Sequence, residues 1–497
     1  MRTTQMIAFA LLLSGGSAHA FCGFFVAGSD AKLTNNASQV VLVRDGDHTT
    51  MTMANTYKGP PENFAMVVPV PSVLHKKDVH VLPHDVFDHI DALSAPRLVE
   101  YWEQDPCVPS GGGIGALGAL RGGCANCGAG GGGAAPQRHG VTIEAKFAVG
   151  EYEVLILSAK ESSGLEDWLK ENHYKIPDGA AEALAPYVRD MSKFFVAKVD
   201  IQKVKRDAQG LVQLSPLRFS YQAAQLKLPV RLGLLNADGQ QDLIVYILHA
   251  SARFKAANYP NVFIPTNLEV SDDVRASFPE FYAELFDVTL SKHQGKAVVT
   301  EYAWETSSCD PCPTPPLSAQ DMAAFGVHVN AYTMGGNLGG MGGGGIGLGN
   351  VRGAGIGIGG SSASYDPYVL TRMHTRYDKS ALSEDIVFKE AGTAEGGRSA
   401  GWGDTGVGAK QVTTNSGANA FQARYVIKHY WDKPLKCKHP TYGTFAGPPD
   451  GKEPKPHAAR GLAHAKRGVV ALPTVVRSPF PELGLLGWPN PHKKAPQ

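Results

Sequence analysis

The sequence lacks any strong imbalance of charge. It has 47 lysine and arginine residues against 46 aspartate and glutamate residues, which gives a formal net charge of +1. A chain without a net positive field has no long-range attraction for nucleic acid or for an anionic membrane. The composition therefore argues against nucleic acid as a partner.

Long apolar runs are also missing, except for a short one near the start. After residue 20 no window reaches 18 consecutive apolar residues, so we predict no transmembrane helix in the mature chain. The start has Arg2, the apolar run Met6–Leu13 and a small residue at Ala20, a pattern typical of a signal peptide. We predict a signal peptide over residues 1–20, cleavage between Ala20 and Phe21, and export to the periplasm or the medium.

The easily recognised catalytic motifs are absent. The sequence contains no G-x-S-x-G, no H-E-x-x-H and no Walker loop. Gly342, Gly344 and Gly347 match a G-x-G-x-x-G spacing, but no predicted strand and helix flank them, so chance in a glycine-rich run explains the match. We predict no cofactor and no specific catalytic residue, although a dispersed active site would leave no such motif.

Cysteines are few and odd in number. An exported chain favours disulfides over free thiols, yet seven cysteines allow about 105 pairings with one left over, so the connectivity stays open. A lipid anchor on the cysteine after the cleavage site is disfavoured because Phe21 is bulky. The seven disulfide candidates are Cys22, Cys107, Cys124, Cys127, Cys309, Cys312 and Cys437.

Two C-x-x-C pairs, one at Cys124 and Cys127 and one at Cys309 and Cys312, have a metal or redox alternative. A zinc ribbon places its pairs about 15 to 20 residues apart, and here roughly 180 residues separate them, so disulfides are the favoured interpretation. Redox catalysis is disfavoured for the second pair. The prolines after Cys312 prevent a helix from starting in the motif, and Asp310 would raise a neighbouring thiol pKa.

Two further clusters have the residue types of metal sites. His80, His84 and His89 lie close in sequence, but Pro83 and a spacing of five residues place them on different faces. The sequence Asp45-Gly46-Asp47 resembles the start of a calcium loop, but position 12 of that loop is Thr56 instead of glutamate. We predict no metal site and interpret the acidic segment as a turn.

Alternating and β-branched runs predict strands. Val40–Val43 and Thr49–Asn55 flank the acidic turn and predict a β-hairpin, and Val141–Val149 with Tyr152–Leu157 predicts a second one. Phe64–Val68 has no polar alternation and indicates a strand buried on both faces. We expect an α+β fold with a largely antiparallel sheet and inserted helices, interrupted by glycine-rich disordered insertions.

Helical spacing appears in several segments between these strands. A helix is expected after His84, and a second short one through Leu98, Val99 and Trp102. A capping box is expected to start a helix at Ser163. A longer helix is expected around Phe278–Phe286.

The glycine-rich segments and the C-terminus set the expected domain organisation. The insertions cover about residues 110–136, 335–362 and 396–418. Tyr368–Tyr377 and Phe421–Tyr430 are strand-like and are expected to pair with the sheet built upstream. We therefore predict one interrupted domain over residues 21–447. Residues 448–497, rich in proline, lysine and arginine, are predicted to be a disordered tail.

Several segments together resemble one bacterial family. They include FCGFFVAGSDAKLTNNASQVVLVRDGD, MANTYKGPPENFAMVVPVP, VGEYEVLILSAKESSGLEDWLKENHYKIP, YAWETSSCDPCPTPP and LTRMHTRYDKSALSEDIVFKEA. They are similar to a family of exported proteins with a domain of unknown function, number 2330, over most of Phe21–Gly447 outside the glycine-rich runs. The resemblance implies neither a reaction nor a ligand.

These observations lead to two hypotheses of function. The first is a binding or structural protein of the cell envelope or the extracellular space, stabilised by disulfides, whose partner is unknown. The alternative is a hydrolase that acts on an envelope or extracellular polymer through a dispersed active site. A pocket with paired carboxylates or a histidine–carboxylate pair at catalytic distance would favour the hydrolase.

Overall fold

Two β-sheets pack face to face, and helices cover their outer faces. The computed structural model describes residues 24–27, 37–54, 64–83, 85–108, 137–138, 140–174, 176–200, 202–206, 212–236, 239–310, 312–331, 363–378, 380–397, 412–415, 417–452, 457–458 and 465–488.

The strands are numbered in chain order. They are β1 (Phe24–Ala27), β2 (Ala37–Asp45), β3 (His48–Ala54), β4 (Phe64–Val70), β5 (Val79–Val81), β6 (Arg97–Glu103), β7 (Gln137–Arg138), β8 (Val141–Val149), β9 (Tyr152–Ala159), β10 (Lys193–Val199), β11 (Lys205–Arg206), β12 (Val212–Gln213), β13 (Leu217–Gln222), β14 (Leu226–Leu228), β15 (Gln241–His249), β16 (Arg253–Ala256), β17 (Asn261–Phe263), β18 (Leu268–Val270), β19 (Val298–Glu305), β20 (Asn330–Ala331), β21 (Ala363–Ser364), β22 (Val369–Tyr377), β23 (Ile386–Ala391), β24 (Ala394–Gly396), β25 (Thr413–Thr414), β26 (Ala420–Gln422), β27 (Arg424–His429), β28 (Phe445–Ala446) and β29 (His457–Ala458).

The helices lie between the strands and near the C-terminus. The α-helices are α1 (Asp85–Ser94), α2 (Ser162–Glu171), α3 (Ala180–Arg189), α4 (Phe278–Ser291), α5 (Ala319–Ala324) and α6 (Leu472–Val475). Short 3₁₀ helices cover Lys76–Asp78, Leu232–Asn236, Asp272–Ser277 and Pro481–Leu483. None of the helices in the described ranges is long and apolar enough to cross a membrane.

Two of the three larger sheets mix parallel and antiparallel pairs, and the six-stranded sheet is antiparallel. The large sheet has eleven strands in the order β25-β24-β26-β19-β22-β15-β2-β3-β13-β5, with β17 added beside β19. A six-stranded sheet has the order β1-β4-β10-β9-β8-β7, and a five-stranded sheet the order β18-β27-β6-β28, with β29 also on β6. In the large sheet β15 pairs with β2 in parallel and with β22 antiparallel. The prediction of an α+β fold is confirmed.

The layers follow from which side chains each strand buries. The inner faces of the large and the six-stranded sheets share one core, which contains Leu42, Met51, Met66 and Phe195. Helices α1 and α5 cover the other face of the large sheet, and α2 and α3 cover the other face of the six-stranded sheet. Every residue of β4 is buried because the strand lies between two apolar layers, as its unbroken apolar run predicts.

Both predicted hairpins are confirmed. Strands β2 and β3 pair antiparallel around a turn in which Gly46 has a φ of +52°. The left-handed region suits glycine because it has no Cβ. Strands β8 and β9 pair in the same way around Gly150. The strands of 368–377 and 421–430 also pair with upstream strands, since β22 lies between β15 and β19 and β27 lies between β18 and β6.

Two local predictions are wrong. The segment with Leu98, Val99 and Trp102 is strand β6 and not a helix. A spacing of four residues fits one helical face and one strand face equally, and the parallel partner β27 lies more than 300 residues away. Helix α2 begins at Ser162, with Glu161 before it and no side-chain cap, so Ser163 is a helical residue and not the cap.

The prediction of a disordered tail is wrong for residues 465–488. Leu472, Val476, Phe480 and Leu485 are buried in one core with the apolar face of α4. The segment has little periodicity because it packs as a short helix and irregular turns. Of the predicted insertions, 110–136 and 335–362 lie outside the described residues, as does most of 396–418.

The docking of this C-terminal segment can be tested with a matched pair of leucines. Leu472 is 4% exposed and Leu486 is 93% exposed. We expect Leu472→Ala to lower the free energy of unfolding by about 2–5 kcal/mol because it leaves a cavity against α4. Leu486→Ala should change it by less than about 0.5 kcal/mol. Urea denaturation measures both, and equal stability of the two variants would contradict the docking.

Candidate functional site

A groove of about 460 Å³ opens where the β2–β3 hairpin meets the small sheet of β14, β23 and β16. Its floor is apolar and its rim is polar, which is the usual composition of a binding site. The described lining residues are Arg44, Gly46, Ala224, Gln225, Leu226, His249, Phe254, Ala257, Val387, Phe388, Lys389 and Glu390.

His249 is the titratable group at the centre of this groove. It ends β15, and its Nδ1 accepts hydrogen bonds from the backbone N–H groups of Ser251, at 3.3 Å, and Ala252, at 3.0 Å. Since Nδ1 is an acceptor, the proton of the neutral ring lies on Nε2. Burial lowers the pKa of His249, against the opposing effect of Glu390. The ring is therefore a neutral hydrogen-bond donor at neutral pH.

The neighbours of His249 define what the groove can do. Nε2 lies 3.7 Å from Oε1 of Glu390, whose side chain is 65% exposed. The ring of Phe254 meets the imidazole edge to face at 5.3 Å. None of the described lining residues is a serine, threonine or cysteine. A donor over an apolar floor suits ligand binding, because a base at Nε2 would need the other tautomer.

Arg44 forms one wall of the groove, and its guanidinium group is already hydrogen-bonded within the protein. It is 8% exposed and donates to Oγ1 of Thr49, at 2.8 Å, and to the carbonyl oxygens of Ala223, at 2.8 Å, and Ala224, at 3.1 Å. These bonds hold β14 against the hairpin. Arg44 therefore shapes the groove, and the other side-chain donors among the described lining residues are Gln225, His249 and Lys389.

A second groove, of about 670 Å³, lies beside the β8–β9 turn. Its rim carries the exposed ion pairs Lys146–Glu153, at 2.7 Å, and Lys203–Asp200, at 2.9 Å. Exposed pairs of this kind are weak and solvated. This groove has no histidine, so it serves as a reference for the first.

The largest group of ionisable side chains lies in the interior. We call it the buried ion network, and it connects the large sheet with α1, α4 and the C-terminal segment. Even-numbered residues of β22 share one face of the sheet, so Arg372, His374 and Arg376 point the same way. The network consists of Asp91, Asp242, Asp287, Glu301, Arg372, His374, Arg376 and Arg467.

The contacts of the network form a continuous chain. Arg372 contacts Oδ1 of Asp91 through Nη1, at 2.5 Å, and Oε2 of Glu301 through Nε, at 2.6 Å. His374 Nδ1 donates to Oε1 of Glu301, at 2.8 Å, and Nε2 to Oδ1 of Asp242, at 3.0 Å. Both nitrogens donate to carboxylates, so the ring is an imidazolium.

The far end of the network reaches the C-terminal segment. Arg467 bridges Asp242, at 3.2 Å, and Asp287, which also contacts Arg376 at 3.0 Å. On α4, Phe286 stacks on His374 at 3.9 Å. The side chain of Asp287 is 30% exposed, so this series of ion pairs ends at the surface.

Charge compensation controls the protonation of this network. Burial alone would raise the pKa of Glu301, but the charges of His374 and Arg372 lower it to about 2. Burial alone would lower the pKa of His374, but Glu301 and Asp242 raise it. Both shifts favour the charged forms. Glu301, Arg372 and His374 are at most 1% exposed, so this cluster is an internal support and not a site that substrate reaches.

The four cysteines of the described residues form two disulfides. Cys107 and Cys437 are joined with their Cα atoms 5.4 Å apart, 330 residues apart in sequence. Cys309 and Cys312 are joined with Cα atoms 4.9 Å apart. Cys22, Cys124, Cys127 and the predicted cleavage site Ala20–Phe21 lie outside the described residues.

Comparison with known proteins identifies the family. Residues 16–389 match the family described as uncharacterized protein conserved in bacteria, DUF2330. The chain belongs to this family. No curated protein and no solved structure matches the chain. The part that matches DUF2330 includes His249 and the central network residues, whereas Cys437 and Arg467 lie beyond it.

Within this DUF2330 chain the metal-like histidines are not brought together. His89 contacts Oδ2 of Asp321 through Nδ1, at 3.0 Å, and the carbonyl oxygen of Pro315 through Nε2, at 2.9 Å. His80 lies on the separate strand β5, and His84 is outside the described residues. Across the described ranges no three histidine, cysteine or acidic side chains form a metal-binding group.

Sequence analysis missed both His249 and the network. For β22 a signal was present, because in YVLTRMHTRY three basic residues alternate with other residues on one strand face. Cations on one face of a strand with apolar neighbours predict buried carboxylate partners. These carboxylate partners come from β15, β19, α1 and α4, so only the fold identifies them.

The protonation of His374 predicts how stability depends on pH. Because the folded pKa is raised, its contribution is complete below 6.5, the ordinary value, and is lost as the pH rises through the folded pKa. The contribution of Glu301 is complete above 4.5 and is lost as the pH falls toward about 2. We expect the network to stabilise most between these ordinary values.

Two histidine variants test this expectation. His374→Gln should lower the free energy of unfolding at pH 6 by about 3–5 kcal/mol, since it removes the buried cation that Glu301 and Asp242 share. The variant should also show a smaller decrease in the free energy of unfolding above pH 6.5 than the wild type. His328→Gln, at an exposed position, is the control. Urea denaturation at several pH values measures both, and a wild-type profile in His374→Gln would contradict the assignment.

Proposed function

We propose that the chain is an exported protein of the cell envelope or the extracellular space, and that it binds a ligand or partner without catalysing a reaction. The signal-peptide pattern of residues 1–20 supports export. Two disulfides support an oxidising compartment, because such bonds persist outside the cytosol. We also propose one interrupted domain, which includes the packed residues 465–488.

The observation that carries the binding proposal is the fixed tautomer of His249. Two backbone N–H groups occupy Nδ1, so Nε2–H faces the groove as a donor. With Leu226, Phe254 and Phe388 buried beneath it, the groove suits a ligand that has an apolar face and acceptor groups. Fragments of an envelope polymer, with sugar rings, hydroxyl groups and carboxylates, have this chemistry.

One observation favours the hydrolase alternative. Glu390 lies 3.7 Å from Nε2 of His249 at the rim of the groove. In that alternative Glu390 activates a water molecule and His249 donates a proton to the leaving group. The side chain of Glu390 is 65% exposed, so this rim would not exclude bulk water from a reaction, and we prefer binding.

The proposed location makes a direct prediction. We expect the full chain, produced in a bacterium, to leave the cytosol and to begin at Phe21 after cleavage. Its intact mass with and without reduction should show at least the disulfides Cys107–Cys437 and Cys309–Cys312. A chain without residues 1–20 is the control and should stay in the cytosol. Retention of the full chain in the cytosol would contradict export, and zinc released only on denaturation would support the metal alternative.

The groove makes a second prediction. We expect soluble disaccharide-peptide fragments of cell wall to bind the mature protein, as measured by titration calorimetry. His249→Asn keeps an acceptor for the backbone N–H groups and removes the Nε2 donor, and it should weaken binding at least about tenfold, the loss of one good hydrogen bond. Lys203→Ala, in the second groove, should bind as the wild type does.

A third variant separates binding from hydrolysis. Glu390→Gln should leave the fragments bound and intact if the protein only binds them. Release of smaller products by the wild type, abolished in Glu390→Gln, would support the hydrolase. Absence of binding by the wild type, or equal binding by His249→Asn, would refute this groove as the site for these fragments.

A further inference from the structure

We propose that the Cys309–Cys312 disulfide is a thiol-exchange site that accepts electrons from an extracytoplasmic dithiol, whereas Cys107–Cys437 is a structural crosslink. The proposal is independent of the groove. It follows from four features of the C-x-x-C loop between β19 and α5: its span, its access, its anchoring and its electrostatic surroundings.

The two disulfides close loops of very different length. A disulfide stabilises a fold mainly by restricting the unfolded chain, and the restriction grows with the length of the closed loop. Cys107–Cys437 closes 330 residues and ties the chain after β6 to the chain after β27. Cys309–Cys312 closes a separation of three and restricts little. Stabilisation of the fold is therefore a weak explanation for the presence of the Cys309–Cys312 disulfide.

The two sulfur atoms of the short loop are unequally accessible. Cys312 is exposed, whereas Cys309 is half-buried against the apolar core that α1 and α5 share with the large sheet. An incoming thiolate therefore reaches Cys312 first. The half-buried Cys309 is then the leaving group and stays within reach of Cys312.

The middle of the loop is anchored to the protein. The side-chain amide of Gln422 donates to the carbonyl oxygens of Asp310 and Gly397. Gln422 is fully buried on β26, beside β19, which leads into the loop. The loop is thus held at its centre while one sulfur faces solvent.

Two buried guanidinium groups change the electrostatics expected from sequence. Arg97 and Arg424 are 0% and 2% exposed. Burial lowers the pKa of each, and the Asp310 carboxylate raises it, so that carboxylate lies within range of both cations. The two guanidinium cations offset the charge of the Asp310 carboxylate, so Asp310 is a weaker argument against a thiolate than it is in the sequence alone. The lack of a helix at the motif stands, since the next one, α5, begins at Ala319.

The exchange is balanced in two steps. A thiolate of the dithiol attacks Sγ of Cys312, the Cys309–Cys312 bond breaks, and its electron pair leaves on Sγ of Cys309, which takes up a proton. The second thiolate of the dithiol attacks the mixed disulfide and releases Cys312 as a thiolate. The dithiol is oxidised to a disulfide, and the protein gains two thiols.

The wild-type protein gives the first test. The oxidised, folded full-length protein is treated with dithiothreitol at neutral pH, the thiols are blocked with N-ethylmaleimide, and the peptides are quantified by mass spectrometry. We expect Cys309–Cys312 to open at least tenfold faster than Cys107–Cys437, which is the internal control. Equal rates, or opening of the short loop only on denaturation, would overturn the proposal.

A thiol titration gives the second test, which a merely exposed disulfide would not pass. In Cys312→Ala, the rate of Cys309 alkylation against pH should report a thiol pKa below its ordinary value of about 8.5. Adding Asp310→Asn should lower this value further, since only the guanidinium charges remain. A pKa at or above the ordinary value, or one that Asp310→Asn leaves unchanged, would refute the electrostatic part of the proposal.

Discussion

The pairing of His374 with Glu301 and Asp242 is the constraint on which the rest of the structure depends. It joins β15, β19 and β22 at the centre of the large sheet, and Arg372 extends it to Asp91 on α1. Buried charges require partners at hydrogen-bonding distance, so the elements that carry them must dock precisely. An apolar interface would tolerate larger shifts of α1 or α4.

The close distances that the buried ion pairs require explain how a chain with long insertions folds into one arrangement of its strands and helices. The C-terminal segment adds Arg467 to the same network while its buried residues Leu472 and Leu485 pack in the core that contains α4. Apolar burial supplies the driving force, and the ion pairs select the register. We infer that the network contributes specificity more than net stability, because apolar replacements of buried ion pairs are often as stable.

The sequence predicted what is local and missed what is distant. The hairpin at Gly46 and the buried strand β4 follow from turn chemistry and from an unbroken apolar run. Strand β6 was mistaken for a helix because its parallel partner lies more than 300 residues away. For the candidate site, His249 gives no motif at all. Its role depends on the backbone N–H groups that follow it and on a groove lined by five strands, most of them distant in sequence.

The ionisable groups of the interior and the reactive groups at the surface have different roles. The acidic groups Glu301 and Asp242 are paired with buried cations and shielded from solvent. The imidazole of His249 lines the groove, and Cys312 of the short disulfide is exposed. Hydrogen-bond donation and thiol exchange both need a rigid support and little else. The buried ion network also supports the groove, because Asp242, which pairs with His374, and His249 lie on the same strand β15.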